Sequence, residues 1–476
     1  MNKKYFKSFI FIAIIGAFAA TSCGDDDKAE PKGVEVANAE LKAALQQKGF
    51  AFDAEGKLLQ DEKVLNTTTL YLSGCNLTDA SGLDVFPKLT EVNLANNKFG
   101  FVFDFSVLPA TVTAVDLTGN EIYEYPGLLD IEVQENGDET VTPLREVKKL
   151  YLPASARYNC DEIVHLYTAN KTADLKMAND AGQLAPYNTL REVPDDNLRA
   201  YLQTNFPSMF DKSNAVMINI ANRMIDVLEA SRNIAPSTAL NVENVEGSQY
   251  IAMNPSYKGI QVTFASKTGC KLKYLRMPSG FNGLTIRNVS TTYINWSEAK
   301  NLFSINILGD NTIERIDFSA SEKFGQRGIT NDFNVFQYSG IQVGNCPKLK
   351  TIEWTRNAVN SLRVYFYNLP LLEELDMSNF KGIGYIALAN LPSLKKIVYY
   401  VPDGFYLTIS RLDPVTSEMI RKDVLRFIIT SEIYAHPETK AFLDAYYQDC
   451  ENSTFAAVLG VDFREIAEYD WTKDYQ

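Results

Sequence analysis

Histidine is nearly absent: the chain has two in 476 residues, His165 and His436, far apart in sequence. Neither stands in a His-x3-His or His-Glu-x2-His setting, so the common metal-ligand and general-base patterns are missing. Gly-x-Ser-x-Gly, Gly-x-Gly-x2-Gly after a strand, and the phosphate loop do not occur either. Excess positive charge is also lacking. Lys and Arg number 46 against 59 Asp and Glu, for a net charge of −13. Such a chain repels phosphate backbones, which argues against nucleic acid as a partner. Cysteine is sparse. Beyond Cys23 there are Cys75, Cys160, Cys270, Cys346 and Cys450, an odd number without framework spacing that allows at most two disulfides. No metal, cofactor or catalytic group is expected.

Hydrophobic residues make up 46% of the chain and charged residues 22%, the balance of a globular protein. The length implies about three domains or one long repeat array.

Residues 1–22 read as a signal peptide. Lys3, Lys4 and Lys7 precede an apolar run from Phe9 to Ala20. That run falls short of the roughly 20 residues needed to span a bilayer. Ala20-Thr21-Ser22-Cys23 then places a cysteine directly after small residues. Residues 23–33 form a polar tether with Asp25, Asp26 and Asp27, too polar to pack a core.

Two modules follow, residues 34–190 and 191–412. Each opens on the pattern Val-x-x-x-x-Leu-[basic]-Ala-x-Leu, at Val36 to Leu45 and again at Val193 to Leu202. Asn38 is a plausible N-cap, and Leu41, Ala44 and Leu45 mark the apolar face of a short helix. Such a helix would cap the apolar end of a repeat array.

A repeat follows each helix. Leu89-x-x-Val92-x-Leu94-x-x-Asn97 recurs as Val112-x-x-Val115-x-Leu117-x-x-Asn120, and Leu70-Tyr-Leu72-Ser-Gly-Cys75 precedes both. The alternating part predicts a short strand. Asn97 and Asn120 are expected to hold the turn after it with side-chain amides. Cys75 and Asn357 stand in the same slot. Asp130 to Thr142 reads as an acidic loop, Leu150 to Leu152 as one more strand, and Asp161 to Ala181 as helix.

The second module repeats most regularly from Pro347 to Tyr400. Pro347, Pro370 and Pro392 lie 23 and 22 residues apart, each preceded by Asn-Cys or Asn-Leu. A period of 20–25 residues indicates stacked repeats. Second alternating runs at Ile341/Val343, Val364/Phe366 and Ile386/Leu388 predict strands on both faces of these coils. Residues 413–476 are expected to form a helical cap over Met419 to Thr430, from Pro437 to Tyr447, and over Phe463 to Tyr469.

These motifs resemble bacterial surface leucine-rich repeat proteins. The first module is similar to the internalin-like class and the later repeats to the BspA-like class. The start of the chain resembles a Bacteroidetes-type lipoprotein signal. The resemblance implies an α/β leucine-rich repeat solenoid in two modules with helical caps. It also implies lipidation at Cys23, with palmitate among the expected acyl chains, and an outer-membrane protein held by its N-terminal lipid alone, facing the cell exterior. It carries no catalytic residue.

The repeat frame also reads out the exposed face. The leucine-type positions point inward, so Thr351, Glu353, Thr355, Arg356, Glu374, Asp376, Ser378, Asn379, Lys396 and Tyr400 are expected outward, on the concave sheet. That face suits a polar partner on a cell surface or matrix. Protein–protein or host-surface binding without catalysis is the expected function. The alternative is a glycan-binding accessory lipoprotein of a polysaccharide uptake system. Trp354 and the pair Tyr365 and Tyr367 read as packing residues.

Overall fold

The computed structural model describes residues 31–133, 139–219, 225–277, 282–322, 340–399, 409–412, 419–422, 426–429 and 431–442. Two apolar cores run through them. One gathers side chains from Val36 to Tyr187. The other runs from Val193 to Phe442 and takes in Tyr123, Tyr158 and Val164 from the first half.

The first core is closed at its start by the helix Ala39–Gln47. Asn38 caps it, its Oδ1 accepting from Leu41 N at 3.0 Å, and Leu41, Ala44 and Leu45 are buried beneath. Short parallel strands then stack in chain order: Thr69–Tyr71, Glu91–Asn93, Ala114–Asp116, Lys149–Leu152 and Asp174–Ala178. Equivalent positions of the sequence frame lie opposite one another, Leu70 beside Val92 and Val92 beside Val115. Period-two burial drives this register, since slipping by one residue would turn Val92 and Leu94 out of the core.

The asparagines tie each turn to the one before. Asn97 Nδ2 donates to Leu94 O and to Leu72 O of the preceding turn, both at 2.9 Å, and its Oδ1 accepts from Leu77 N. Asn120 repeats the arrangement on Leu117 O, Leu94 O and Asn97 N. Cys75 stands in the first turn, with no earlier turn to reach; it packs against the first core and its thiol donates to Ser73 O at 3.7 Å. A left-handed residue precedes each ladder position, Asn96 (φ 54°) and Gly119 (φ 74°). Gly119 is required twice over, because a Cβ there would come within 2.0 Å of Asn96 Oδ1.

Two expectations for this half change. The acidic stretch Asp130 to Thr142 is not a plain loop: Leu129–Val133 and Glu139–Pro143 pair as an antiparallel hairpin. The segment 161–181 is helical only over Glu162–Ala169. After the turn at Asn170 the chain re-enters the sheet as Asp174–Ala178, burying Leu175 and Ala178, and Leu184–Pro186 closes that edge antiparallel. Pairing with Lys149–Leu152 outweighs helix propensity there.

The second half begins with the helix Asp196–Asn205, capped by Asp195 on Leu198 N at 2.9 Å. Among the described residues its main sheet has seven parallel strands in chain order: Gln261–Arg276, Gly283–Asn295, Ser304–Leu308, Gly340–Gly344, Val359–Tyr367, Phe380–Ala389 and Arg426–Ile429. Shorter parallel pairs form across the core. Arg315–Asp317 pairs with Thr351–Glu353, and Glu374–Met377 with Lys396–Tyr399. The strands on both sides meet in the core, where Trp354 contacts Phe366 at 5.9 Å.

The Asn-x-Pro punctuation marks a second ladder. Asn345, Asn368 and Asn390 all adopt left-handed backbone, with φ of 54°, 52° and 50°. Asn390 Nδ2 donates to Asn368 Oδ1 at 2.9 Å, and Asn368 Nδ2 to Asn345 Oδ1 at 2.7 Å. Cys346, Leu369 and Leu391 turn into the core immediately after.

The C-terminal expectation is corrected in part. The described parts of Met419 to Thr430 are strands, not helix. Met419–Lys422 pairs antiparallel with Ile409–Leu412, and Arg426–Ile429 joins the main sheet beside Phe380–Ala389. The run Phe427-Ile428-Ile429 is aromatic and β-branched, and the last strand offers it a row of unmet backbone groups. Residues 437–442 are helical, with Pro437 at the start, and Phe442 stacks on Tyr399 at 4.6 Å. The expected helix from Phe463 lies outside the described residues.

Candidate functional site

The short strands of the second half carry the predicted face. Thr351, Glu353, Arg356, Glu374, Asp376 and Lys396 are all exposed. The register sets Arg315 beside Thr351 and Asp317 beside Glu353, and it sets Glu374 beside Lys396. Opposite charges meet directly across the strands at Glu374 and Lys396 and diagonally at Arg315 and Glu353. Arg315 pairs with Glu353 at 2.7 Å and with Asp317 at 2.9 Å, Lys396 pairs with Glu374, and Lys350 with Glu314 at 2.7 Å. The hydrogen bond from Arg315 to Glu353 raises the arginine pKa, and Glu374 does the same to Lys396. At this exposure each pair contributes only about 0–1 kcal/mol. The pairs orient the side chains more than they stabilise the fold.

Several predicted positions play other parts. Thr355, expected outward, is buried. Asn379 donates through Nδ2 to Thr355 O at 2.9 Å, 24 residues back. It is a turn-holding residue, doing for this coil what Asn97 does for an earlier one. Asn357 keeps its ladder role across an insertion, donating to Glu322 O at 2.8 Å. Trp354 is core, packed on Phe318 at 5.3 Å and Phe380 at 4.8 Å. Tyr365 and Tyr367 are buried, and the Tyr367 ring covers Gly344, where any Cβ would collide with it. Tyr400 and Cys23 lie outside the described residues.

Applied to the first half, the same frame shows a face that the sequence reading passed over. Its outward positions include Tyr71, Glu91, Asn93, Asp116, Lys149, Tyr151, Asp174 and Lys176. Lys149 pairs with Glu91 at 2.7 Å, and Tyr151 OH donates to Asp174 at 2.7 Å. Lys149 and Lys176 stand over the Tyr151 ring at 4.7 and 5.0 Å. Tyr71, at the sheet edge, is 63% exposed. The signal was present for Tyr71, Glu91, Asn93, Asp116, Lys149 and Tyr151, which alternate with the leucine-type positions of the first repeats, but not for Asp174 and Lys176, which fall in the stretch expected to be helical.

A third assembly had no local signal. Where the halves meet, Tyr123 stacks on Tyr274 (5.3 Å, 7° between planes), Tyr158 on Tyr250 (6.3 Å), and Phe101 lies 5.1 Å from Tyr293. Glu124 accepts from Tyr274 OH at 3.0 Å and from Asn295 Nδ2 at 2.6 Å. Arg276 pairs with Asp161 of the first half and with Glu298 at 2.5 Å. His165 is buried beside them, its Nδ1 2.9 Å from Asp161 O. Burial, and then the neighbouring Asp161, lift the Glu162 carboxyl above the usual range, while Arg276 opposes that shift. Asp161 and Arg276 are 115 residues apart in sequence, and Glu124 and Tyr274 are 150 apart, out of reach of any motif.

Among the described residues, no three His, Cys, Asp or Glu side chains gather in a way that could hold a metal ion, and no helix is long and apolar enough to cross a membrane. Among the described residues, Cys75, Cys270 and Cys346 are free thiols. The chain matches no known family model, no curated protein and no solved structure.

Proposed function

We propose that this chain is a leucine-rich repeat solenoid that acts by binding, without catalysis, on a cell surface. Its two modules present their short strands as a rigid face, and the partner is a polar protein surface on another cell, a host or a matrix. The observation that carries this reading is the row of exposed, register-locked charges: Glu353, Glu374, Asp376 and Lys396 on parallel strands, with Arg356 beside them. Side chains fixed by backbone ladders lose little entropy on binding, which favours contact along many coils at once. Charge complementarity would then set the choice of partner and the association rate. Reversing charge with Glu353→Lys and Asp376→Lys is expected to weaken capture of the partner on intact cells severalfold, with a reduced salt dependence. Capture that is unchanged in both variants moves the site off this face.

The reading includes an anchor at Cys23. A diacylated cysteine followed by Gly24 and three aspartates suits an outer-membrane lipoprotein facing outward. Each buried CH2 of the acyl chains contributes about 0.8 kcal/mol, so two chains hold the protein firmly. Cys23→Ala is expected to release the protein from the membrane fraction, and retention of the variant there would overturn the anchor.

A further inference from the structure

We propose that the cleft at the junction of the two halves binds a short, neutral oligosaccharide. The inference goes beyond the polar strip on the later coils and concerns a cleft that borders it at Arg315 and Asp317, on the strand paired with Thr351–Glu353.

The cleft has a volume of about 730 Å³ and is walled by Phe101 of the first half and by Tyr293, Asn295, Arg315 and Asp317 of the second, with Trp296 among its lining. That size falls within the range of small-ligand sites. Two features define its chemistry. The first is aromatic: Phe101 and Tyr293 are both half-exposed, their rings 5.1 Å apart and tilted by 32°. The second is a set of planar polar groups, each already held in place. The Asn295 amide donates to Glu124 at 2.6 Å, and Glu124 is fixed in turn by Tyr274 OH. The Asp317 carboxylate accepts from Ser319 N and from Arg315, both at 2.9 Å, and Arg315 is also tethered to Glu353 at 2.7 Å.

A pyranose matches both features. One face of the ring presents C–H groups that pack on aromatic rings, and its hydroxyls donate and accept at the same time, as amide and carboxylate pairs require. Preorganised groups limit the entropy lost on binding. Other ligand classes fit less well. Among the described lining residues, an anion would face Glu314 and Asp317 against the single cation Arg315, on a chain of net charge −13. A purely apolar ligand would strip water from Arg315 and Asp317 without replacing their hydrogen bonds. Both halves wall the cleft, so it exists only when the junction is assembled.

The test is isothermal titration of the full chain with a panel of neutral gluco-, manno- and galacto-oligosaccharides, alongside an acidic galacturonan. The expected result is saturable binding of at least one neutral sugar. Phe101→Ala and Asp317→Asn should each weaken it by about tenfold, equivalent to about 1.4 kcal/mol. Asp317→Asn preserves side-chain shape, and far-UV circular dichroism identifies any variant that fails to fold. Glu374→Lys, on the polar strip, should leave the affinity unchanged, which separates this site from the proposed protein-binding face. Absence of binding by every neutral sugar, preference for the galacturonan, or affinity unaltered in both Phe101→Ala and Asp317→Asn would overturn the proposal.

Discussion

Asp310 shows how much a single residue can hold in a fold made of turns. It is fully buried, yet its carboxylate accepts from Thr291 N, Thr312 N and Ile313 N and from the hydroxyls of Thr291 and Thr312. A buried charge is tolerable when donors replace its lost hydration. Here the donors come from two successive turns, so the side chain fastens them together. Asp310→Ala would strand several backbone N–H groups, and a loss of about 3 kcal/mol is expected, read as a fall in the midpoint of thermal unfolding. Asp310→Asn, which keeps part of the acceptor set, should fall between that variant and the parent protein. Cys346 is a contrasting case. It is also fully buried, and burial pushes its thiol pKa up to about 12, so it behaves as a small apolar residue facing the core.

Among the elements, the asparagine column at the corner of the main sheet is the clearest unit. Asn345, Asn368 and Asn390 combine two properties that few residues share: tolerance of left-handed backbone and an amide able to donate to an identical neighbour. The two functions can be separated by mutation. Asn368→Gly keeps the backbone geometry and loses only the ladder bonds, at an expected cost of about 1 kcal/mol. Asn368→Ala adds left-handed strain and should cost about 1–2 kcal/mol more. Equal destabilisation of the two variants in thermal melts would show that the backbone conformation contributes nothing. The same logic explains why Gly309 stands in this column among the asparagines: its φ is 75°, and a Cβ would approach Asn288 Oδ1 to 2.9 Å.

For the whole molecule, the question is what makes the two halves behave as one body. The junction answers it with stacked tyrosines around Tyr123 and with Arg276 set among Asp161, Glu162 and Glu298. Arg276→Ala would leave Asp161 and Glu162 without their cation in a largely buried setting, and removing one partner of a buried pair costs about 3–5 kcal/mol. The expected readout is two separated unfolding transitions in place of one, with faster proteolysis between the halves. The defect should depend on pH. Glu162 has a raised folded-state pKa, so its favourable contribution is present at low pH and is lost as pH rises through that value. Loss of Arg276 raises it further, so the variant should be weaker at about pH 8 than at about pH 5. A defect that does not change with pH would assign the junction to tyrosine packing alone.

Much of this was legible in the residues. The spacing of Leu89, Val92, Leu94 and Asn97 specified a strand and the residue that holds its turn, because both depend on contacts within one coil and its neighbour. Asn38 and the leucines after it specified a capped helix for the same reason. The outward positions of the later coils followed from period-two alternation, and Glu353, Glu374, Asp376 and Lys396 are where it put them. Local pattern misled where a side chain or strand was claimed from farther away. Thr355 sits in an outward slot but is buried, Asn379 was taken into the turn, and Phe427 to Ile429 left the expected helix for the edge of a sheet. The junction was beyond sequence altogether. Tyr123 and Tyr274, Glu124 and Asn295, and Asp161 and Arg276 meet only in the tertiary structure, and no periodicity records which side chains will face each other across that distance.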